Sequence, residues 1–333
     1  MSGQANALSD EKLVEVIVPA YNVADFLPRC VDSLLGQTCR SIRIWLVDDG
    51  STDGCPAICD NYALRDRRVV VIHKENGGLS SARNAALDKI LSLAPIERGK
   101  FIACVDSDDW VEPDYVEFLL NLIEATGADV AQCGHYIDFS DTRGVEKDKD
   151  HSVRILSGEN AIESLLRNGP YDVTAWNKLY RTQVLEDIRY PEGMSYEDTA
   201  TAHLIAEQAG SVAVCMEPKY HYVQRYGSIA NGTTWKDSKY DLVRAGDEMA
   251  AWVCARYPGL EGAALEKRVF VRLSTLAHMV NTCYSDKRRI REMRRFIVRG
   301  AGPLLADPKA SKRDKLGTIL VVPGFWLFRV VWK

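Results

Sequence analysis

Four short apolar runs punctuate the first third of the chain: Val14 to Pro19, Ile42 to Val47, Val69 to Ile72 and Phe101 to Val105. Each is brief, rich in β-branched residues, and stops at a polar or glycine-bearing stretch, which is the pattern of buried strands. Between the first two, apolar residues return at helical spacing. Leu27, Cys30, Val31, Leu34 and Leu35 share one face of a helix predicted from about Phe26 to Leu35. A glycine turn at 76–78 leads into another helix. Strand and helix alternate, so the first half predicts an α/β fold on a mainly parallel sheet. Further on, 199–208 reads as a helix, and 238–255, 263–284 and 288–299 read as amphipathic helices.

Polar chemistry collects where the strands end. The fourth run stops at Asp106-Ser107-Asp108-Asp109, three carboxylates within four residues. Close carboxylates repel and raise one another's pKa. A hard divalent cation relieves that repulsion, and oxygen donors suit Mg²⁺ or Mn²⁺. The plainer reading is an acidic turn in which Asp109 caps the following helix. The second run ends in Asp48-Asp49-Gly50-Ser51-Thr52-Asp53-Gly54, another acidic turn. In open α/β sheets the carboxyl edge of the strands is where ligands bind, and a crevice of this kind suits a nucleotide. No Gly-x-Gly-x-x-Gly follows the first strand, and no Gly-x-x-x-x-Gly-Lys occurs, so neither a dinucleotide fingerprint nor a P-loop is present.

Charge and cysteine usage narrow the class. With 42 basic against 46 acidic residues, bulk charge gives no reason to expect nucleic acid. Nine scattered cysteines, odd in number and without Cys-x-x-Cys, fit reduced thiols better than a disulfide framework or a zinc site. The expected setting is therefore cytoplasmic. Residues 1–12 are polar, have no apolar signal core, and read as a flexible N-terminus. No run of eighteen uncharged apolar residues predicts a membrane span.

Five segments in order carry a resemblance: Val-Pro-Ala-Tyr-Asn at 18–22, Gln37-Thr38, Val-Asp-Asp-Gly-Ser-Thr-Asp at 47–53, Asn-Gly-Gly-Leu-Ser-Ser-Ala-Arg-Asn at 76–84, and Asp-Ser-Asp-Asp at 106–109. Together they closely resemble glycosyltransferase family 2, inverting nucleotide-sugar enzymes of GT-A fold, over roughly residues 13–230. Trp176-Asn177-Lys178-Leu179-Tyr180-Arg181, Glu197-Asp198, and Tyr220-His221-Tyr222 to Gly227-Ser228 look like the subgroup that builds bacterial capsule, exopolysaccharide and lipopolysaccharide. The resemblance implies that Asp49 accepts a hydrogen bond from the donor base, usually uracil. Asp48 would support the turn, while Pro19, Ala20 and Tyr21 line the nucleoside pocket. Arg83 would approach the sugar or diphosphate. Asp108 would ligate Mn²⁺ or Mg²⁺, with Asp106 holding ribose or metal.

Sugar transfer also needs a group to take the acceptor proton, because a sugar hydroxyl has a high pKa. The family's base sits in a Glu-Asp pair, which points here to Asp198, with Glu197 as the fallback. Asp198 could instead cap the helix that follows, and the two uses are compatible. Trp176 and Lys178 would shape the floor of the donor and acceptor sugar pocket. His221, Arg225 and Ser228 would form a flexible lobe closing on the diphosphate. His221 is either a third metal ligand or a structural histidine.

Beyond residue 230 the motifs fade, leaving a helical region with a basic face (231–315) and an apolar, aromatic tail (316–333). Residues 287–315 hold eleven Lys or Arg; counting Asp286, only four acidic residues accompany them. A basic helix beside an aromatic tail reads as an interfacial anchor on anionic lipid, at the inner face of the cell membrane, or as a tail packed on protein. The acceptor would be a glycan or lipid-linked saccharide. Two rivals follow: a sugar-nucleotide-binding or scaffold protein without catalysis, and a nucleotidyltransferase. The latter should carry a glycine-rich phosphate loop after the first strand, where Pro19-Ala20-Tyr21-Asn22 stands instead.

Overall fold

A computed structural model describes residues 12–139, 142–146, 149–224 and 234–331. The chain separates into two compact units. The first comprises residues up to Gly158, then Thr174–Gly193 and Leu204–Gln224; the second comprises Glu159–Val173, Met194–His203 and everything from Arg225 onward. The division is therefore not the single break near residue 230 that the sequence suggests. Two earlier segments cluster with the C-terminal helices.

The first unit opens with alternating strands and helices: β1 (Val14–Ala20), α1 (Leu27–Leu35), β2 (Ile42–Asp48), α2 (Cys55–Arg65), β3 (Val69–His73), α3 (Leu79–Ser92), β4 (Phe101–Cys104), β5 (Trp110–Val111) and α4 (Tyr115–Thr126). It continues with β6 (Val130–Phe139), β7 (Thr142–Glu146) and β8 (Arg154–Ser157). In chain order there follow α5 (Gly158–Arg167), all but its first residue in the second unit, β9 (Lys178–Arg181), α6 (Glu197–Gln208), divided between the units, and β10 (Ser211–Gln224). One sheet joins the strands in the order β3-β2-β1-β4-β9-β6-β10-β5, with β7 beside β6 and β8 beside β10.

β1 to β4 run parallel, and β9 is antiparallel to both its neighbours. Every residue of β1 is buried, as expected of a strand with helices on both faces. Its one charge, Glu15, is fully enclosed and accepts from Arg43 Nε (2.8 Å), Trp45 Nε1 (2.8 Å) and the Gly99 amide (2.8 Å). Such complete pairing is what permits a carboxylate in a sheet core. The helix predicted after residue 26 forms and buries Leu27, Cys30, Val31 and Leu34.

In the second unit, α7 (Asp241–Arg256), α8 (Glu261–Asn281), α9 (Lys287–Ala306), α10 (Lys312–Val321) and α11 (Phe325–Val331) follow one another. Their core includes Val269, Leu273, Leu276, Met279, Ile290, Ile297, Leu304, Val321 and Phe328. Asp286 caps α9 by accepting from the Arg288 and Arg289 amides. The apolar tail is thus divided by face. Leu320, Val321 and Phe328 pack inward, whereas Leu316, Ile319, Trp326, Val330 and Val331 are exposed. Among the described residues no helix is long and apolar enough to cross a membrane.

Candidate active site

β2 and β4 flank β1 in parallel register, so their carboxyl ends lie on one edge of the sheet. That edge carries both acidic turns. Asp48 ends β2: its Oδ1 accepts from the Ser51 amide at 3.0 Å, fixing the turn, and its Oδ2 lies 2.9 Å from His73 Nδ1. The other ring nitrogen of His73 lies 3.0 Å from Asp60. The Asp48 hydrogen bond, followed by that to Asp60, raises the His73 pKa. Gly50 adopts φ +72°, and a Cβ there would stand 2.7 Å from the Asn76 amide nitrogen. Only glycine meets both demands.

Asp49 is buried beneath the 74–78 loop. Its Oδ1 accepts from Lys74 Nζ (2.6 Å) and the Gly77 amide (3.0 Å), and its Oδ2 from the Gly78 amide (2.7 Å). The carboxylate that the resemblance assigns to the donor base is held here by three donors of the chain's own loop. Beside it Pro19 and Ala20 are buried in β1, and Tyr21 is exposed.

At the end of β4, Arg83 Nη2 lies 2.9 Å from Asp106 Oδ1. Arg83 is 1% exposed, and its guanidinium lies 5.2 Å from the centre of the Tyr190 ring. α3 thus delivers a buried cation to the acidic turn. Asp108 is half-buried. Asp109 points inward and accepts from Tyr220 Oη (2.7 Å) and the Val223 amide (2.8 Å). Burial first, then the charges of Asp108 and Asp106, push the Asp109 pKa well above the usual carboxylate range. Tyr220 Oη in turn accepts from the Asp106 amide at 3.1 Å, so one buried phenol ties β10 to the turn.

The donor chemistry suits a hard cation: Asp106 and Asp108 offer carboxylate oxygens of the kind Mg²⁺ and Mn²⁺ take. Among the described residues, no three or more His, Cys, Asp or Glu side chains gather to hold a metal.

Three expected site residues sit deeper than the sequence suggests. His221 lies inside β10 and is fully buried, stacked on Trp110 with ring centroids 3.4 Å apart. Its Nδ1 faces Asp138 at 3.1 Å and its Nε2 faces Glu112 at 3.0 Å. It is therefore no part of a flexible lobe, and both ring nitrogens are already engaged by carboxylates. Trp176 is buried against Tyr220 and Tyr222, with centroids 4.6 and 5.5 Å away. Lys178 is buried in β9, its Nζ donating to Thr174 O (2.6 Å) and Thr174 Oγ1 (2.9 Å). It braces the turn where Asn177 takes φ +56°. Arg225 and Ser228 lie outside the described residues.

Glu197 and Asp198 belong to the second unit and open α6. Tyr196, at φ +62°, turns the chain into the helix, and its carbonyl accepts from the Ala200 amide at 3.2 Å. Both carboxylates therefore occupy the first turn, where the helix dipole favours negative charge. Glu197 is buried and Asp198 half-buried.

Residues 15–189 match the family described as Glycosyl transferase family 2, and the chain belongs to it. EpsH of Bacillus subtilis (strain 168) is 32% identical over 316 residues, 92% of this chain and 87% of that protein. Glycosyltransferase GlyA of Streptococcus pneumoniae is 35% identical over 240 residues, 69% of this chain but only 33% of that longer protein. In fold the chain is similar to S. aureus TarS 1-349 solved with UDP-GlcNAc, at TM-score 0.67 and 21% identity, covering 96% of this chain and 90% of that one. The protein is thus a family 2 glycosyltransferase on a GT-A scaffold.

Sequence reasoning missed His73, Lys74, Tyr190 and Tyr220 as supports of the site. Only Tyr220 lay in a segment already singled out, through the Tyr-His-Tyr alternation of β10.

Proposed function

We propose that the protein transfers a sugar, with inversion, from a uridine diphosphate donor to a hydroxyl of a glycan or lipid-linked saccharide in cell-surface polysaccharide synthesis. The observation that carries this reading is the shared strand edge. Asp48 and Asp49 at the end of β2 and Asp106 and Asp108 after β4 lie on the two sides of β1 at one sheet edge, with buried Arg83 bound to Asp106. The TarS structure containing UDP-GlcNAc supports a uridine donor, and the 176–181 and 220–228 segments support the polysaccharide setting.

Breaking the anomeric bond leaves negative charge on a diphosphate. Asp106 and Asp108 would hold a Mn²⁺ or Mg²⁺, which when bound neutralises that charge. Arg83 fixes Asp106 in place. Asp198 takes the proton from the attacking hydroxyl, an effect worth about 10²–10⁴-fold in rate. Attack from the face opposite the diphosphate inverts the anomeric centre. The exposed apolar residues of α10 and α11, beside the basic α9, support peripheral contact with an anionic membrane surface.

A thermal-shift screen of nucleotide sugars with Mn²⁺ tests the donor assignment. UDP-sugars should raise the midpoint by mass action and other nucleotides should not. Equal shifts with every nucleotide, or none, would refute it.

A further inference from the structure

The second unit holds a cavity of about 540 Å³ to which none of the family motifs contributes a residue. It lies among α7, α8 and α9, and its volume is within the range of small-molecule sites. One face of α9 supplies Arg289, Arg295, Phe296 and Arg299, while Tyr240 and Arg244 come from the start of α7.

The charges around it are unequally answered. Arg272, also in the wall, is taken up by Asp247 through bonds of 2.8 and 2.7 Å, and Arg268 adds a third bond to the same carboxylate at 2.9 Å. Glu292 leans toward Arg288, outside the cavity, at 3.5 Å. Asp247 is therefore fully engaged, while Glu292 is held only loosely and leaves one carboxylate against four arginines. Arg244 has only a long contact to Asp241 at 3.4 Å. Arg289 lies 3.7 Å over the Tyr240 ring, with its carboxylate contact stretched to 3.9 Å. Arg295 and Arg299, one helical turn apart, have no ion-pair partner within 4.0 Å among the described residues. Like charges at that spacing destabilise a helix, so the arrangement is a local cost. The chain as a whole carries a net charge of −4, so the cluster is not a by-product of composition.

A solvated basic face would be expected to alternate with carboxylates on a convex surface. Here the guanidiniums surround a concavity whose floor includes Phe296, Val243 and Met293. Guanidinium forks match phosphate oxygens two at a time, and an apolar floor accepts a ring or chain.

We propose that this cavity is a binding site for a phosphate monoester or diester carrying a sugar or acyl portion. The phosphate would sit among Arg244, Arg289, Arg295 and Arg299, with the organic portion against Val243 and Met293, since the Phe296 ring already carries Arg272 at 3.8 Å and Arg268 at 4.6 Å. The proposal does not depend on the transfer reaction.

Calorimetric titration of the full chain tests it, with glucose 1-phosphate as a non-lipid source. Dihexanoyl phosphatidylglycerol below its micelle concentration serves as the lipid headgroup, and glucose as the uncharged control. Saturable binding of either phosphate is expected, and the one preferred identifies the source. R295Q/R299Q should weaken it by about tenfold or more, as loss of charge-assisted bonds implies. R288Q/R291Q removes the same charge from the same helix outside the cavity and should leave binding within about twofold, as distant exposed charges are screened. All four arginines are exposed, and unchanged thermal midpoints would show both variants folded. Absence of saturable binding to either phosphate, or equal weakening by the two variants, overturns the proposal.

Discussion

Arg83 and Asp106 form an ion pair of 2.9 Å in which the cation is wholly buried and the carboxylate retains 24% side-chain exposure. The guanidinium comes from α3, the carboxylate from the end of β4, and Tyr190 closes over the cation. Breaking a largely buried pair leaves an uncompensated charge, which costs about 3–5 kcal/mol when burial is complete. Arg83→Gln should therefore cost about 2–4 kcal/mol in urea unfolding and lower transfer as well. Arg83→Lys should recover little of either, because a point charge cannot reproduce the planar fork against Asp106 and Tyr190. Full recovery by lysine would mean that charge alone matters at this position.

Gly50 offers a second test. Its φ of +72° and the 2.7 Å approach of the Asn76 amide leave no room for a Cβ. Gly50→Ala should cost about 1–3 kcal/mol. It should also weaken donor binding, because the same turn carries Asp48 and Asp49. Unfolding with and without UDP measures both. Loss of stability with unchanged UDP protection would detach the turn from the donor site.

His203 predicts a pH dependence. Burial, with the Arg256 charge adding to it, lowers its pKa from 6.5 to about 4, and its Nδ1 is buried without a hydrogen-bond partner among the described residues. A histidine held neutral in the fold takes up a proton more readily when unfolded. Its contribution is therefore fully present above about pH 6.5 and is lost as pH falls toward 4. The loss amounts to about 3 kcal/mol at most, at 1.36 kcal/mol per pKa unit. In His203→Leu the drop in unfolding free energy between pH 7 and pH 4.5 should shrink by roughly that amount. An unaltered drop would show that other groups carry the acid sensitivity.

The acidic turns were legible in the sequence because a strand announces itself by a short apolar run, and the residue that ends it is fixed by the chain. Asp48, Asp106 and Asp108 needed no tertiary knowledge. Their partners did. His73 reaches Asp48 because β2 and β3 pair them in register, and Tyr190 covers Arg83 from over a hundred residues away. Helical spacing showed that α7 to α9 bury one face but not what lies against it, so the grouping of 159–173 and 194–203 with them was invisible. In β10 the alternation Tyr220-His221-Tyr222 has the period of a strand, in which the middle side chain opposes the outer two. Read that way, it places His221 inside a strand.

The proposed metal role rests on the carboxylate pair Asp106 and Asp108. Chelation should abolish most transfer, and Mn²⁺ or Mg²⁺ should restore it. Asp108→Asn should raise the metal concentration needed for half-maximal activity, because one anionic oxygen is lost from the site. Transfer that continues unabated in excess chelator would remove Asp106 and Asp108 from this role.

The central claim is tested most directly at Asp198. In Asp198→Asn, turnover measured as UDP released in the presence of acceptor should fall by about 10²–10⁴-fold. Thermal midpoint and UDP-sugar protection should stay at the parent's values. A folded Asp198→Asn enzyme that turns over at the parent's rate would contradict the account.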